Sequence, residues 1–333
     1  MRAVELFAGG GGASQGLEAA GVEAVACFEY DEAASAVARA AGFPSHCRDV
    51  RDVDWQALLD ERGPIDLIWA SPPCQAFSSA GKRKGASDER NGWPWTVAVL
   101  DHLQPRWFMA ENVTGLTTHS GEHCGNVDRC PGCYLHRVIL PELSKRFAWV
   151  GWSVSDAADF GVPQHRRRIC IIAGPDSVQW PRATHASPEK CLGLFSTRKP
   201  WVTVREALDL DAFVRTYRDL TDEPCTTLAA VQIGNAGPWL ERPSPTVVTN
   251  EVKGSGPGAN PHKMQRASDA LFLGTGRRRL TVKECRQLMG WDERYDALLA
   301  QQTKTAAYRI LGNGCVPAWV EAHARAVLEA DER

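Results

Sequence analysis

The sequence has no long hydrophobic run, almost no net charge, and no basic segment followed by an apolar one near its start. A membrane-spanning helix needs about 20 apolar residues, so we expect a cytoplasmic protein without a membrane partner. The formal charge of −2 excludes a strongly basic domain, so any binding of nucleic acid must depend on local clusters. The eleven cysteines are odd in number and scattered, which favours reduced thiols over a disulfide framework.

The first half of the chain alternates short β-rich runs with helical patterns. The runs "AVELF", "EAVACFE", "IDLIWA" and "RWFMAEN" predict strands, and "WVGWSVSDA" and "RRICIIAG" predict two more. This rhythm indicates an α/β fold with a doubly wound parallel sheet, whose ligands bind at the carboxyl ends of the strands. From about residue 181 to 276 the chain is rich in Pro, Gly, Thr and Asn, which predicts a separate, irregular, β-rich unit.

The segment "LFAGGGGASQG" is the first indication of a ligand. A strand that leads through a glycine run into a helix lets the backbone approach a bound group closely. Gly9 and Gly11 match the dinucleotide fingerprint, but Ser14 replaces its third glycine, which argues against a pyrophosphate. Glu29 follows at the position that contacts a ribose, and Tyr30 can cover an adenine. S-adenosylmethionine fits better than NAD, and a purely structural turn is the alternative.

A cysteine follows the strand "IDLIWA" and two prolines. Cys74 is therefore expected at the ligand edge of the sheet, in a loop that Pro72 and Pro73 stiffen. Such a loop would hold a nucleophile in one position. A packed, unreactive thiol is the alternative for an isolated "PPC".

Six segments, taken in order, resemble the motif set of the DNA (cytosine-5) methyltransferases of bacterial and phage type: "FAGGGG", "PPCQAFS", "ENV", "QHRRR", "RRRLTVKECRQLMGW" and "GNGCVP". The resemblance implies a Rossmann-like S-adenosylmethionine-dependent methyltransferase domain over residues 1–180, completed by 305–333. A smaller, irregular β-rich target-recognition domain would occupy 181–304. The implied reaction transfers a methyl group to carbon 5 of a cytosine flipped out of double-stranded DNA.

The resemblance also assigns catalytic roles. Carbon 5 of cytosine is a poor nucleophile, so a thiolate, matched by Cys74, must first add to carbon 6. Glu111 of "ENV" matches the acid that gives the ring nitrogen a proton or a strong hydrogen bond. Arg166 and Arg168 of "QHRRR" match arginines that hold the base and the active-site loop and can favour the thiolate.

The family pattern places the cofactor against residues from several motifs. Gly314 stands where the family often has a serine, and Cys315 where it usually has a valine, which we expect to serve packing only. The cofactor-binding residues implied are Phe7, Gly9, Gly11, Glu29, Tyr30, Asp49, Val50, Pro73, Asn313 and Val316.

DNA contacts are expected from two regions. The segment 78–91 matches the loop that closes over flipped DNA, and its basic side chains would meet phosphates, although a solvated loop is the alternative. Base readers are expected within residues 225–265. The predicted DNA-binding residues are Gln75, Ser78, Lys82, Arg83, Lys84, Gln164, Gln232, Asn235, Asn250 and Lys253.

One stretch departs from the family, "THSGEHCGNVDRCPGCYLH". Its "CPGC" resembles a zinc knuckle, and the candidate ligands are Cys124, Cys130, Cys133 and His136, with His119 and His123 as further flanking histidines. A structural zinc and a metal-free cysteine-rich loop are both open at this point.

Two other functions use the same residues. A tRNA cytosine-5 methyltransferase would share the catalytic motifs, but segment 181–276 has the size of a DNA target-recognition unit. A catalytically inactive DNA-binding relative is disfavoured by the presence of the complete catalytic set. We expect a monomer, and a cognate restriction endonuclease as a further partner is open.

Overall fold

The computed structural model describes residues 1–73, 91–119, 125–127, 130–191, 197–208, 242–244, 246–247 and 280–333, together with the backbone of 231–233, 270–273 and 276–279. These residues form two compact units. The first contains Met1–Ser155, Arg167–Pro181 and Trp319–Arg333, and the second contains Asp156–Arg166 and Arg182–Ala318.

A seven-stranded sheet organises the first unit. Its strands are β1 (Arg2–Leu6), β2 (Glu23–Glu29), β3 (Ser45–Cys47), β4 (Leu67–Ala70), β5 (Trp107–Val113), β6 (Trp149–Asp156) and β7 (Arg167–Gly174). The spatial order is β3-β2-β1-β4-β5-β7-β6. The strands β1 to β5 pair in parallel, whereas β7 runs antiparallel to β5. The order reverses at β1 and β4, which creates the crevice where ligands bind in such sheets.

The helices of this unit connect and cover the sheet: α1 (Gly12–Ala20), α2 (Glu32–Ala40), α3 (Trp55–Arg62), α4 (Trp93–Leu103), α5 (Pro131–Tyr134), α6 (Leu140–Ser144) and, at the C-terminus, α12 (Pro317–Asp331). A π-helical turn, Leu135–Ile139, joins α5 to α6. Short 3-10 turns occupy Val50–Asp52 and Thr114–Thr117.

The local sequence explains where these elements begin and end. Every residue of β4 is buried, as expected for a short apolar run in the middle of a parallel sheet. Helix α2 begins after Asp31, whose carboxylate accepts the Ala34 N–H at 3.0 Å. Helix α1 ends at Gly21, which has a φ of 87° and therefore suits glycine.

The second unit consists of short elements: β8 (His185–Ala186), α7 (Pro188–Cys191), β9 (Lys199–Pro200), α8 (Val204–Ala207), β10 (Val231–Ile233), β11 (Ala270–Leu273), β12 (Gly276–Arg279), α9 (Val282–Leu288), α10 (Arg294–Ala300) and α11 (Lys304–Asn313). A further 3-10 turn spans Ala157–Phe160. Strands β10, β11 and β12 form an antiparallel sheet, and β8 pairs with β9 in parallel. Both α8 and α9 begin with a complete capping box.

The predicted fold class is confirmed, a doubly wound α/β sheet of methyltransferase type accompanied by a smaller unit. The strands expected from "WVGWSVSDA" and "RRICIIAG" are β6 and β7, which are neighbours in the sheet. Within the described ranges, no helix has the length and apolar character that crossing a membrane requires. The functional assignment of the two domains, with the boundaries given above, stays a prediction.

Candidate active site

The glycine turn after β1 is fixed by a carboxylate from the neighbouring strand. Glu29 ends β2, and its two oxygens accept the N–H groups of Gly9 and Asp31, each at 2.8 Å. Burial raises the pKa of Glu29, and the backbone N–H donors oppose that shift. Phe7, Gly9 and Gly11 all have positive φ values. Phe7 is the non-glycine residue among them, so the backbone strain of the turn lies there, and a mostly buried acid holds the turn in place.

A second acid lies below the turn. Glu5 of β1 is completely buried and accepts a hydrogen bond from Ser14 of α1, while Cys27 of β2 lies 3.7 Å from the same oxygen. Burial raises the pKa of Glu5 to about 8, with the nearby charge of Glu29 as a smaller contribution in the same direction. Ser14, the residue that interrupts the dinucleotide fingerprint, thus hydrogen-bonds an acid under the turn.

Three further predicted cofactor residues of this unit lie near the ends of β2 and β3. Tyr30 is 70% exposed, the most exposed large hydrophobic side chain among the described residues. Asp49 accepts a two-pronged ion pair from Arg51, at 2.9 and 2.8 Å, and the Arg51 hydrogen bonds lower the pKa of Asp49. Val50, in contrast, is buried.

The prolines that precede Cys74 are held from two sides. The side chain of Asn112, in β5, donates to the Pro72 carbonyl at 3.0 Å. Gly92 lies against the prolines, since a Cβ added at this position would be 2.8 Å from Pro73 Cδ and 3.0 Å from Phe7 Cζ. The residues that flank segment 74–90 therefore lie close together beside the glycine turn. Gly92 is not among the site residues predicted from the sequence, although it directly follows segment 78–91, the predicted DNA-closing loop, and this position was a signal.

Glu111 lies near the carboxyl end of β5 and forms an ion pair with Arg168 of β7. The Arg168 Nε lies 2.7 Å from the Glu111 Oε1, and both side chains are largely buried. The antiparallel pairing of β5 with β7 places Val113 opposite Arg168 and Glu111 opposite Cys170, which brings the two charged groups together. The structure thus joins two of the four predicted catalytic residues.

Arg166 and Gln164 belong to the second unit and contact backbone groups there. The Arg166 guanidinium donates to the carbonyl oxygens of Val247, Gly312 and Gly314 at 3.2, 3.0 and 2.8 Å. The Gln164 amide donates to the Leu288 carbonyl and accepts from the Val247 N–H. Both side chains are buried, so in this structure they organise the unit instead of facing solvent.

The "GNGCVP" segment follows α11 and packs against a tryptophan. Trp291 donates its indole N–H to the Cys315 carbonyl at 2.8 Å, and its ring occupies the space into which a side chain at Gly314 would extend. Asn313 is the last residue of α11, and Val316 is buried. Trp291 was not identified from the sequence as part of this segment's environment.

A cluster of potential metal ligands follows β5. His119 Nδ1 lies 3.6 Å from the sulfur atoms of Cys130 and Cys133, and the three ligand atoms lie within 4.8 Å of one another. The predicted ligand set and this cluster differ in the histidine. The ring of His136 stacks on His119 at a centroid distance of 5.8 Å, and His136 is not a member of the cluster.

Several predicted site residues lie outside the described residues: Cys74, Gln75, Ser78, Lys82, Arg83, Lys84, Cys124, Asn235, Asn250 and Lys253. Gln232 lies on β10, where only the backbone is described. The roles assigned to these residues stay predictions.

A sheet of this order, with a glycine turn after β1 and an acid ending β2, is consistent with the Rossmann-like fold of S-adenosylmethionine-dependent methyltransferases. The sequence profile of the C-5 cytosine-specific DNA methylases matches residues 1–329. The chain therefore belongs to that family and is a DNA (cytosine-5) methyltransferase.

Individual relatives agree with this family. The chain is 28% identical over 349 residues to the Type II methyltransferase M.NaeI of Lentzea aerocolonigenes, covering 97% of this chain and 73% of the relative. It is 31% identical over 230 residues to M.AquIA of a Picosynechococcus species, covering 62% and 86%. The fold resembles the solved Dnmt2 methyltransferase of S. pombe, with a TM-score of 0.64, 16% identity, and coverage of 100% and 99%.

Proposed function

We propose that this protein is a sequence-specific Type II modification enzyme that methylates carbon 5 of a flipped-out cytosine through a covalent adduct with Cys74. The proposal rests on the observation that candidate residues from four strands lie at the same edge of the sheet. The glycine turn after β1, Glu29 at the end of β2, Pro72 and Pro73 after β4, and Glu111 near the end of β5 all lie at the carboxyl ends of parallel strands. Ligand-binding groups of doubly wound sheets collect there.

The residues at this edge fit the family's methyl donor, S-adenosylmethionine, which supplies an electrophilic methyl group on a sulfonium. The Glu29 carboxylate accepts the N–H groups of Gly9 and Asp31, and a further backbone hydrogen bond comes from Tyr30. An ionised carboxylate has about four acceptor sites, so one acceptor remains for a ribose hydroxyl. The exposed ring of Tyr30 is available to stack on an adenine. Gly9 and Gly11 have positive φ values, which glycine adopts readily, and they have no side chains that would keep the ligand away from the backbone of the turn.

The catalytic residues act on the cytosine ring. The Cys74 thiolate adds to carbon 6, and the electron pair of the carbon 5–carbon 6 double bond moves toward carbon 5. Carbon 5 then attacks the methyl carbon of the sulfonium, whose sulfur–methyl bond breaks and leaves the electron pair on sulfur as the neutral thioether of S-adenosylhomocysteine. Glu111 in its protonated form donates the hydrogen bond or the proton that the ring nitrogen needs for this addition, and Arg168 holds the Glu111 side chain in place. Loss of the carbon 5 proton to a base and cleavage of the sulfur–carbon 6 bond then release the product and the thiolate.

Recognition of a specific site is assigned to the target-recognition domain, residues 181–304. Support comes from the names of the relatives, which are Type II methyltransferases. A monomer that acts on double-stranded DNA, with a cognate restriction endonuclease as its cellular counterpart, is part of the same proposal.

A trapping experiment tests the covalent step. A target duplex with 5-fluorocytosine carries fluorine where a proton must leave, so the wild-type enzyme should stall as a protein–DNA adduct that survives denaturing electrophoresis and requires S-adenosylmethionine. Cys74→Ser should form no adduct, because a hydroxyl is a far weaker nucleophile. Glu111→Gln should form it at least about tenfold more slowly, consistent with the loss of general acid catalysis. Cys191→Ser, which removes a thiol from α7, is the matched control and should form it normally.

Methylation assays with the wild-type protein identify the substrate. Tritiated methyl groups should enter DNA and not tRNA, and bisulfite sequencing of a plasmid methylated in vivo identifies the site. If the wild type methylates ordinary DNA but never forms the adduct on a fluorinated copy of that site, Cys74 is not the nucleophile. Incorporation into tRNA alone would replace the DNA proposal.

A further inference from the structure

We infer that the cluster of His119, Cys130 and Cys133 is a structural zinc site, independent of the methyl-transfer residues. The cluster lies in the segment that follows β5 and the 3-10 turn Thr114–Thr117, where this sequence departs from the family motifs.

The two nitrogen–sulfur distances of the cluster match tetrahedral zinc. Zinc bonds of about 2.3 Å to sulfur and 2.0 to 2.1 Å to nitrogen, at tetrahedral angles, place each sulfur about 3.6 Å from the nitrogen. His119 Nδ1 lies 3.6 Å from the Cys130 sulfur and 3.6 Å from the Cys133 sulfur. Two cysteines and a histidine are a ligand set that suits zinc, and neither cysteine is in a disulfide.

The backbone holds the ligands in this arrangement. The Cys130 N–H donates to the Asn126 carbonyl at 2.9 Å, and the Gly132 N–H donates to the Thr118 carbonyl at 3.0 Å. The second bond places the "CPGC" turn beside His119. Gly132 also leaves room for the imidazole, since an added Cβ would come within 2.8 Å of the His119 Nε2.

The electrostatic surroundings favour a thiolate ligand. The Cys133 sulfur accepts the Gly125 N–H at 2.9 Å, a contact that stabilises negative charge on sulfur and resembles the outer hydrogen bonds of metal sites. Cys130 and Cys133 are buried and His119 is exposed, so the sulfur ligands of the centre are shielded from solvent. Structural zinc takes four ligands, and His119, Cys130 and Cys133 supply three of them.

The site would stabilise the chain next to the catalytic loop. Tyr134 follows Cys133 directly, and its hydroxyl accepts a hydrogen bond of 2.8 Å from the buried side chain of Asn91. Asn91 is the first described residue after segment 74–90. Zinc at the "CPGC" turn would therefore help to fix the end of the segment that contains Cys74.

The test is metal content, measured on full-length protein purified without chelator and without a metal-affinity step. We expect about one zinc per wild-type chain. Exchange of the zinc for Co²⁺ should give the intense visible absorption of tetrahedral thiolate coordination. This spectrum is recorded on the wild-type protein, so it does not depend on whether a variant folds. We expect the zinc affinity of the protein, measured by competition with a chelator, to fall by at least about 100-fold in each of Cys130→Ala, Cys133→Ala and His119→Ala. The loss of a residue that only hydrogen-bonds a ligand lowers the affinity less.

Two variants are matched controls. Cys47→Ala removes an exposed thiol of the same unit, and His136→Ala removes the stacked histidine, and both should keep their zinc. Less than a tenth of an equivalent of zinc in wild-type protein from zinc-supplemented cells would overturn the assignment. So would an octahedral Co²⁺ spectrum, or a Cys130–Cys133 disulfide found by mass spectrometry after alkylation.

Discussion

The replacement Glu5→Gln should make the protein more stable at alkaline pH relative to the wild type, and the size of the effect follows from the burial of Glu5. Glu5 is completely buried in β1 and accepts a hydrogen bond from Ser14. A glutamine of nearly the same shape keeps an acceptor for Ser14 but cannot ionise. The amide N–H groups of the glutamine add a cost at the buried position of Oε1, but that cost does not vary with pH, so the pH dependence of the difference reports the ionisation of Glu5.

The magnitude follows from proton linkage. Burial raises the pKa of Glu5 from an ordinary 4.5 to about 8 in the folded protein. Between these two values the folded state binds the proton more strongly than the unfolded state does, so stability is full below pH 4.5 and is lost as pH rises toward 8. At about 1.4 kcal/mol per pH unit, the shift corresponds to about 5 kcal/mol over the whole interval.

The assay is urea unfolding of the wild type and Glu5→Gln at several pH values from 5 to 8.5. The difference between their free energies of unfolding cancels every titration that the two proteins share. It should move in favour of Glu5→Gln by several kcal/mol over this range. Glu18→Gln removes an exposed carboxylate from α1 and is the control. A difference that changes by less than about 0.5 kcal/mol across the range would refute the assignment of a neutral, buried Glu5 at pH 7.

Two further predictions concern a close contact and a buried histidine. Gly92→Ala should reduce methylation by at least about tenfold, since its Cβ would displace Pro73 and Phe7, whereas Gly115→Ala, with only Val113 at an ordinary 3.7 Å, should leave the rate within about twofold. Equal rates would show that the contact has no catalytic effect. Burial lowers the pKa of His323 from 6.5 to about 4, so its contribution to stability is present above pH 6.5 and is lost as pH falls toward 4. Urea unfolding should show a loss of about 3 kcal/mol over that interval, absent in His323→Asn; parallel curves would contradict it.

Strand positions could be predicted from the sequence because they depend on local composition. The run "EAVACFE" is β2, residue for residue, and "IDLIWA" contains β4, since a buried parallel strand is a short continuous apolar run. The sheet order could not be predicted in the same way. The insertion of β7 between β5 and β6 depends on pairing between distant segments, and no local pattern encodes the partner of a strand.

The sequence predicted which residues belong to the site better than it predicted what each of them contacts. The motif "QHRRR" assigned similar roles to Arg166 and Arg168, but Arg168 lies within β7 beside Glu111, whereas Arg166 precedes the strand and binds backbone carbonyls. His136 was the histidine of the predicted zinc ligand set. It falls in the π-helical turn Leu135–Ile139, which the sequence pattern does not indicate, and its ring stacks on His119 instead.

The departure from the family pattern at Gly314 has a physical explanation in the second unit. A Cβ at position 314 would overlap the ring of Trp291 and approach the Ile310 carbonyl to 3.1 Å. Trp291 cannot move aside freely, because it is buried and its indole N–H is bound to the Cys315 carbonyl at 2.8 Å. The tryptophan thus fills the space of the missing side chain, and the Gly314 carbonyl still accepts from Arg166 at 2.8 Å. Glycine at this position is a consequence of local packing, and it gives no support to a catalytically inactive relative.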